Sequence, residues 1–177
     1  GVYGVLQNTI MQLPYKVFSS VQDVNAAQIE LTKVSDASQS DLTKYWDTAA
    51  ESANKYGATI SDVISSTADW SRLGYNLDGA KELSDATTLL QKVGDNMTQE
   101  SSSKGMISTL KGFKMEASDA MSIVDKVNEV ANTEPIDTSG LFEGLERSAS
   151  SMNAANNSLE QTIALITAAK HYWLIVW

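Results

Sequence analysis

Apolar residues recur at steps of three and four along most of the chain, which is the spacing of one face of an α-helix. The clearest stripe comprises Ala117, Ala120, Met121, Val124, Val127 and Ala131. An earlier stripe comprises Leu42, Tyr45, Trp46, Ala49 and Ala53. Nowhere do apolar and polar residues alternate over the length of a β-strand. The pattern predicts an all-α fold, a compact multi-helix domain of successive helical hairpins with about seven to eight helices.

A short junction pattern separates several of these stripes. It places Gly74 before an aromatic residue at one junction and Gly112 before an aromatic residue at another. A glycine just past a helix end can adopt the left-handed conformation that side chains resist, so both glycines are predicted to end helices. In a third copy Asn156 replaces the glycine, and Ser158 with Gln161 predicts a capping box at the start of the last helix.

Breaks in the helical period divide the chain into three predicted parts. Residues 1–40 are an N-terminal amphipathic helix, residues 41–169 are a helical core domain, and residues 170–177 are an atypical hydrophobic tail. The apolar run from Tyr172 to Trp177 is a candidate for insertion at a membrane interface. Because it is short and lacks flanking basic charge, the sequence favours a collapsed or disordered tail instead.

Composition removes several classes of function. The net charge of -9 and the isoelectric point near 4.5 disfavour direct binding of nucleic acid, which depends mainly on lysine and arginine. The chain has no cysteine, so it has no disulfide framework and no thiolate metal site. No apolar run approaches the roughly 18 to 20 residues that a transmembrane helix needs, so no transmembrane segment is predicted in this chain.

The residues that could carry chemistry do not form a catalytic pattern. His171 is the only histidine, and it is predicted to be a solvent-exposed tail residue. Glu143 and Glu146 lie three residues apart on one helix, where they are predicted to form solvated surface, because paired catalytic acids must face each other across a cleft. We therefore expect no enzyme activity, no small-molecule substrate, no cofactor and no metal.

Tryptophan is common at the centres of protein interfaces, so the tryptophans are the candidate interface residues. Trp46 shares the apolar stripe of its helix, which favours a place in the core. Trp70 lies nearer the edge of its stripe and is the more open case. The possible interface residues are therefore Trp70, Trp173 and Trp177.

Four segments, taken in order, carry a resemblance to a known family. They are 110–121, 124–132, 136–145 and 158–166. A helix ending in a leucine, glycine and aromatic cluster is followed by a helix rich in alanine and aspartate, an acidic cap before an apolar helix, and a Ser-Leu-Glu helix start. In this order the segments resemble the core region of tailed-phage and prophage tape measure proteins, over about residues 18–169.

The resemblance implies a structural role in phage tail assembly through protein–protein contacts. The implied partners are other copies of the chain, tail chaperones, and the tail tube and tail-tip proteins. The implied locations are the virion tail and, during assembly, the cytoplasm of the host bacterium. The ending from Lys170 to Trp177 and the short length depart from the family and indicate a truncated or frame-shifted copy.

Two alternatives remain open at this point. One is a secreted or cytoplasmic helical-hairpin interaction module unrelated to phage tails. The exported type would need a tryptophan-x-glycine turn, which the residues after Trp46 and Trp70 do not supply. The other is a cell-wall hydrolase, which no residue pattern in the sequence supports.

Overall fold

The computed structural model describes the backbone of residues 20–176 and the side chains of residues 20–172. Helix α1 covers residues 20–34. The helices that follow are α2 Gln39–Tyr56, α3 Ile60–Arg72, α4 Leu77–Val93, α5 Gln99–Phe113, a 3-10 turn Ala117–Asp119, α6 Ala120–Thr133, α7 Thr138–Ala154 and α8 Leu159–Val176. Residues 20–176 contain no β-strand. The predicted all-α fold of about eight helices packed as successive neighbours is confirmed.

The chain divides after Leu77 into two compact units, whose described residues are 20–77 and 78–176. We call them unit 1 and unit 2. The predicted division into residues 1–40, 41–169 and 170–177 stays a prediction, and residues 1–19 lie outside the described residues. Helix α8 continues to Val176, so residues 170–176 are helical and do not form the collapsed or disordered tail that the sequence favours.

Unit 1 packs α1, α2 and α3 around one apolar cluster. Its buried members are Ala27, Leu31, Leu42, Tyr45, Ala49, Ala53, Val63, Ile64 and Ala68. The Tyr45 hydroxyl donates a hydrogen bond of 2.7 Å to Oγ1 of Thr67, which itself donates to the carbonyl oxygen of Val63. A buried hydroxyl without a partner costs free energy, and here both hydroxyls are satisfied. At the surface, Arg72 on α3 binds Glu30 on α1 at 3.0 Å.

Unit 2 depends on glycines where its helices approach most closely. A Cβ atom built on Gly105 of α5 would lie 2.6 Å from the Phe142 ring of α7, and one on Gly112 would lie 2.5 Å from the Cβ of Ala149. On the next helix pair, a Cβ atom on Gly144 would lie 2.7 Å from a methyl group of Ile166. Real Cβ atoms do not approach other atoms so closely, so a side chain at any of these positions would force its neighbour to shift.

Five helix junctions share one geometry. Each contains a residue with positive φ, and the next helical segment starts three residues later. The positive-φ residues are Gly57, Gly74, Asn96, Lys114 and Asn156. The segments that follow them start at Ile60, Leu77, Gln99, Ala117 and Leu159. Asn156 thus takes the role expected of a glycine, and the predicted capping box of Ser158 and Gln161 is confirmed by hydrogen bonds of 2.9 and 3.2 Å.

The prediction that Gly112 ends a helix is wrong. Helix α5 continues through Phe113, and Lys114 adopts the left-handed conformation with φ of 57°. The amide of Met115 then donates to the carbonyl oxygen of Leu110 at 2.8 Å, which is the six-residue closure of a Schellman motif. Gly112 instead belongs to the contact with α7, where its missing side chain makes room for Ala149.

Candidate interaction surface

Trp70 is more deeply buried than the sequence indicates, and Trp46 is less deeply buried. Trp70 is only 2% exposed, and its ring meets the Tyr75 ring edge-on with centroids 5.8 Å apart. Trp46 is half-buried and packs against the core of unit 1, with its ring centroid 5.5 Å from that of Tyr45. An interface role for Trp70 stays a prediction, although its burial leaves little indole surface for a partner.

The two outer tryptophans lie at the end of α8. Trp173 belongs to the helix, but its side chain is outside the described side chains. Trp177 lies outside the described residues altogether. Their interface roles stay predictions.

The paired acids of α7 are both bound by cations. Glu146 lies 2.9 Å from the Lys104 ammonium group of α5, and Glu143 lies 3.7 Å from the Arg147 guanidinium group one turn away. The hydrogen bond and the charge of Glu146 raise the pKa of Lys104. The two carboxylates therefore serve in ion pairs, one of which connects α5 to α7.

A polar cleft of about 540 Å³ lies along this pair of helices. Met97 and Phe142 supply its apolar lining, and polar and charged side chains, which include both ion pairs, supply the rest. Lys104 and Glu146 form an ion pair with each other within the cleft. The cleft therefore presents mixed charge, and its arrangement does not single out a ligand.

An apolar groove of about 560 Å³ lies between α6 and α8. Its lining residues are Val130, Glu134, Ala164, Thr167, Ala168, His171 and Tyr172. His171 and Tyr172 are exposed, and Tyr172 shows 70% of its surface. The exposed position predicted for His171 is thus confirmed, but the residue belongs to a helix and lies at the edge of this groove.

The outer side of α8 is a surface for which the sequence analysis made no prediction. The described part of α8 carries apolar side chains on its outer side as well, and Leu165 is 49% exposed. A helix that is apolar on all sides is normally covered on all sides. That signal was present in the sequence, because only Glu160 and Lys170 carry formal charge between Leu159 and Val176.

The described residues offer neither a metal site nor a membrane-spanning helix. No group of three or more histidine, cysteine, aspartate or glutamate residues is placed to hold a metal ion. No helix in this part of the chain is long and apolar enough to cross a membrane.

A family model for phage-related minor tail proteins matches residues 46–170. The chain belongs to this family. The match begins within α2 and continues into α8, so it includes helices from both units. No solved structure matches the chain.

Membership in the minor tail protein family agrees with the resemblance to a tape measure region. The family is one of structural phage tail proteins that are generally not enzymes. Membership implies other tail proteins as partners and the virion tail as the location.

Proposed function

We propose that this minor tail protein is the core region of a tape measure protein and that it acts in tail assembly through protein contacts. The observation that carries the proposal is the family match over residues 46–170, because it contains all four segments that resemble the tape measure core. Those segments correspond to the junction of α5 and α6, to α6 itself, to the start of α7 and to the start of α8.

The proposed partners are other copies of the chain, tail chaperones, the tail tube and the tail-tip proteins. Direct binding to nucleic acid has no support, because the net charge of -9 would oppose the phosphate backbone. The proposed locations are the virion tail and, during assembly, the cytoplasm of the host bacterium.

Length restricts the proposal to the core region. A helix rises about 1.5 Å per residue, so a straight helix of the whole chain would span only about 270 Å. The folded helices of each unit are much shorter than that. In this proposal the ruler function belongs to other sequence, and this region supplies contact surfaces.

The test is an in-frame deletion of residues 46–170 in the phage or prophage that encodes the chain, followed by electron microscopy of the particles. A tape measure role predicts particles without tails, or tails of unregulated length, and plasmid-encoded chain should restore normal tails. Tails of normal length that fail only in adsorption would indicate a different minor tail protein. Infectious particles with normal tails would refute both the tape measure role and the role of a different minor tail protein.

No observation favours a second function. A helical-hairpin module unrelated to phage tails loses its support, because the chain belongs to a phage tail family. A hydrolase has no support from the described residues, whose neighbouring acids Glu143 and Glu146 are held in ion pairs.

A further inference from the structure

Helix α8 has an apolar outer face that no other element among the described residues covers. Its inner side is buried in unit 2 through Leu159, Thr162 and Ile163. On its outer side, exposed residues recur at steps of three and four, which places them on one face of the helix. These residues are Gln161, Ala164, Leu165, Ala168 and Tyr172, and we call them the α8 face.

The shape of the α8 face suits a second helix. Ala164 and Ala168 also line the groove between α6 and α8, where their small side chains leave a depression. Leu165 and Tyr172 project from the same face, with 49% and 70% of their surfaces exposed. Small residues between large ones allow two helix axes to approach to about 8 Å and let the large side chains interlock.

The near absence of charge makes the α8 face a more favourable surface for self-association than the rest of the protein. The chain carries a net charge of -9, so two copies repel each other wherever their carboxylates face. From Gln161 to Trp177 the sequence has no aspartate or glutamate, and Lys170 is its only formal charge. Glu134 at the end of α6 is the one carboxylate among the residues that line the neighbouring groove. Repulsion between copies is therefore weakest along the outer side of α8.

We infer that the α8 face binds the α8 face of a second copy of this chain, with the two helices antiparallel about a two-fold axis. An axis that passes between Ala168 and Ala169 sets Leu165 of each copy against Tyr172 of the other. The same axis passes beside Ala168 of both copies, so the two Ala168 residues meet where the helices cross. The same surface of each copy then contacts the other copy, as a two-fold interface requires. The inference deepens the proposed function, on which it rests, by naming one partner and the surface that receives it.

The size of the face sets the expected strength. Helix α8 has 18 residues, so it is about 27 Å long. Pairing two such helices buries roughly 1,000 Å² in total, which is near the lower limit of specific interfaces. We therefore expect a reversible dimer with a dissociation constant of about 10 to 100 μM, and not a permanent complex.

The first test is sedimentation equilibrium of the full chain from about 5 to about 500 μM, which brackets that range. The parent chain should change from monomer to dimer. Ala168→Glu adds a carboxylate at the helix crossing, where two copies of it would face each other, and should weaken the dimer at least about tenfold. Ser151→Glu is the matched control, because it adds the same charge at an exposed position of α7 and should leave the dimer unchanged. Far-ultraviolet circular dichroism would verify that both variants are folded.

The second test uses the absence of cysteine from the chain. Ala168→Cys places one thiol beside the two-fold axis, so mild oxidation should form a disulfide-linked dimer at least about tenfold faster than with the exposed control Ser151→Cys. A mixture of Leu165→Cys and Tyr172→Cys chains should form the mixed dimer in preference to either symmetric one. A parallel arrangement would reverse that preference and overturn the antiparallel geometry.

A monomer over the whole concentration range would overturn the inference, and so would a dimer that Ala168→Glu does not weaken. Either result would leave the proposed function standing, because the deletion experiment tests the role in tails without reference to α8. Conversely, normal tails after the deletion would refute the proposed function but would not alter the dimer measured in solution.

Discussion

Unit 1 and unit 2 stabilise their helix contacts by different means. In unit 1 a side-chain hydrogen bond from Tyr45 to Thr67 joins α2 to α3 within the apolar cluster, and Arg72 connects α3 to Glu30 of α1. In unit 2 the close contacts occur where Gly105, Gly112 and Gly144 remove side chains from the interface. Contacts through side-chain atoms can adjust by rotation, whereas backbone contacts at a glycine cannot. Unit 2 should therefore tolerate added volume less well than unit 1 tolerates loss of a hydrogen bond.

The largest effect is expected from Gly112→Ala. Alanine favours a helix over glycine by about 1 kcal/mol, but the new methyl group would meet the Cβ and backbone of Ala149, which cannot rotate away. We expect the free energy of unfolding to fall by about 2 kcal/mol, measured by urea denaturation. Gly144→Ala is the control, because the nearest neighbours of its methyl group are side-chain atoms of Ile166, which can shift more easily than backbone, and it should cost less than about 1 kcal/mol. Equal losses at the two positions would contradict the role assigned to the backbone.

The next effect is expected from Tyr45→Phe, which removes the hydroxyl that donates to Thr67. A buried hydrogen bond contributes about 1 kcal/mol, so unit 1 should lose about that much stability, observed as a lower urea midpoint. Tyr56→Phe, at a half-buried position, should change stability by less than about 0.5 kcal/mol. A double-mutant cycle with Thr67→Val would show no coupling if the hydrogen bond is unimportant.

A smaller effect of opposite sign is expected from Lys114→Gly. Lys114 holds a left-handed conformation that costs a side-chain-bearing residue about 1 kcal/mol and costs glycine very little. The substitution should raise the melting temperature, equivalent to a gain of about 0.5 kcal/mol once the extra freedom of the unfolded glycine is included. Lys111→Gly, three residues earlier within α5, should lower stability by about 1 kcal/mol. Destabilisation by both substitutions would mean that the left-handed conformation of Lys114 does not lower the stability of the protein.

The smallest effect is expected from Glu160→Gln. The pKa of Glu160 is lowered by its hydrogen bonds to its own amide and to Ser158, and by Lys126, which lies 3.3 Å away. A carboxyl group with a lowered folded-state pKa stabilises the fold above its unfolded pKa of 4.5, and this contribution disappears as pH falls through the folded value. The variant should melt slightly below the parent at pH 7, and the difference should be smaller at about pH 3. Glu129→Gln, an exposed position without an ion pair among the described residues, should melt with the parent at both pH values.

The caps and stripes could be predicted from the sequence because they depend on neighbours within one or two turns. The predicted capping box of Ser158 and Gln161 is an example. The side chains of Thr59 and Asp137 accept hydrogen bonds from backbone amides three residues later in the same way. The position of Gly112 could not be predicted, because the deciding contact is with Ala149 on another helix. The depth of Trp70 likewise depends on contacts beyond its own stripe.

Part of the interaction surface could likewise be predicted from the sequence, and part could not. The groove between α6 and α8 could not be predicted, because it exists only once Val130 lies beside Ala164 in the folded unit. The outer face of α8 could have been found, since Leu165, Ala168 and Tyr172 follow the helical period on the side opposite Ile163.

The shared junction geometry constrains how the chain can change in length. Because each of the five corners places the next helical segment three residues after its left-handed residue, the direction in which a chain leaves a corner depends on where the preceding helix stops. Removing one residue from a helix would turn everything that follows by about 100°, whereas removing seven would restore the phase to within about 20°. Viable insertions and deletions in this protein should therefore come in whole pairs of turns within the helices.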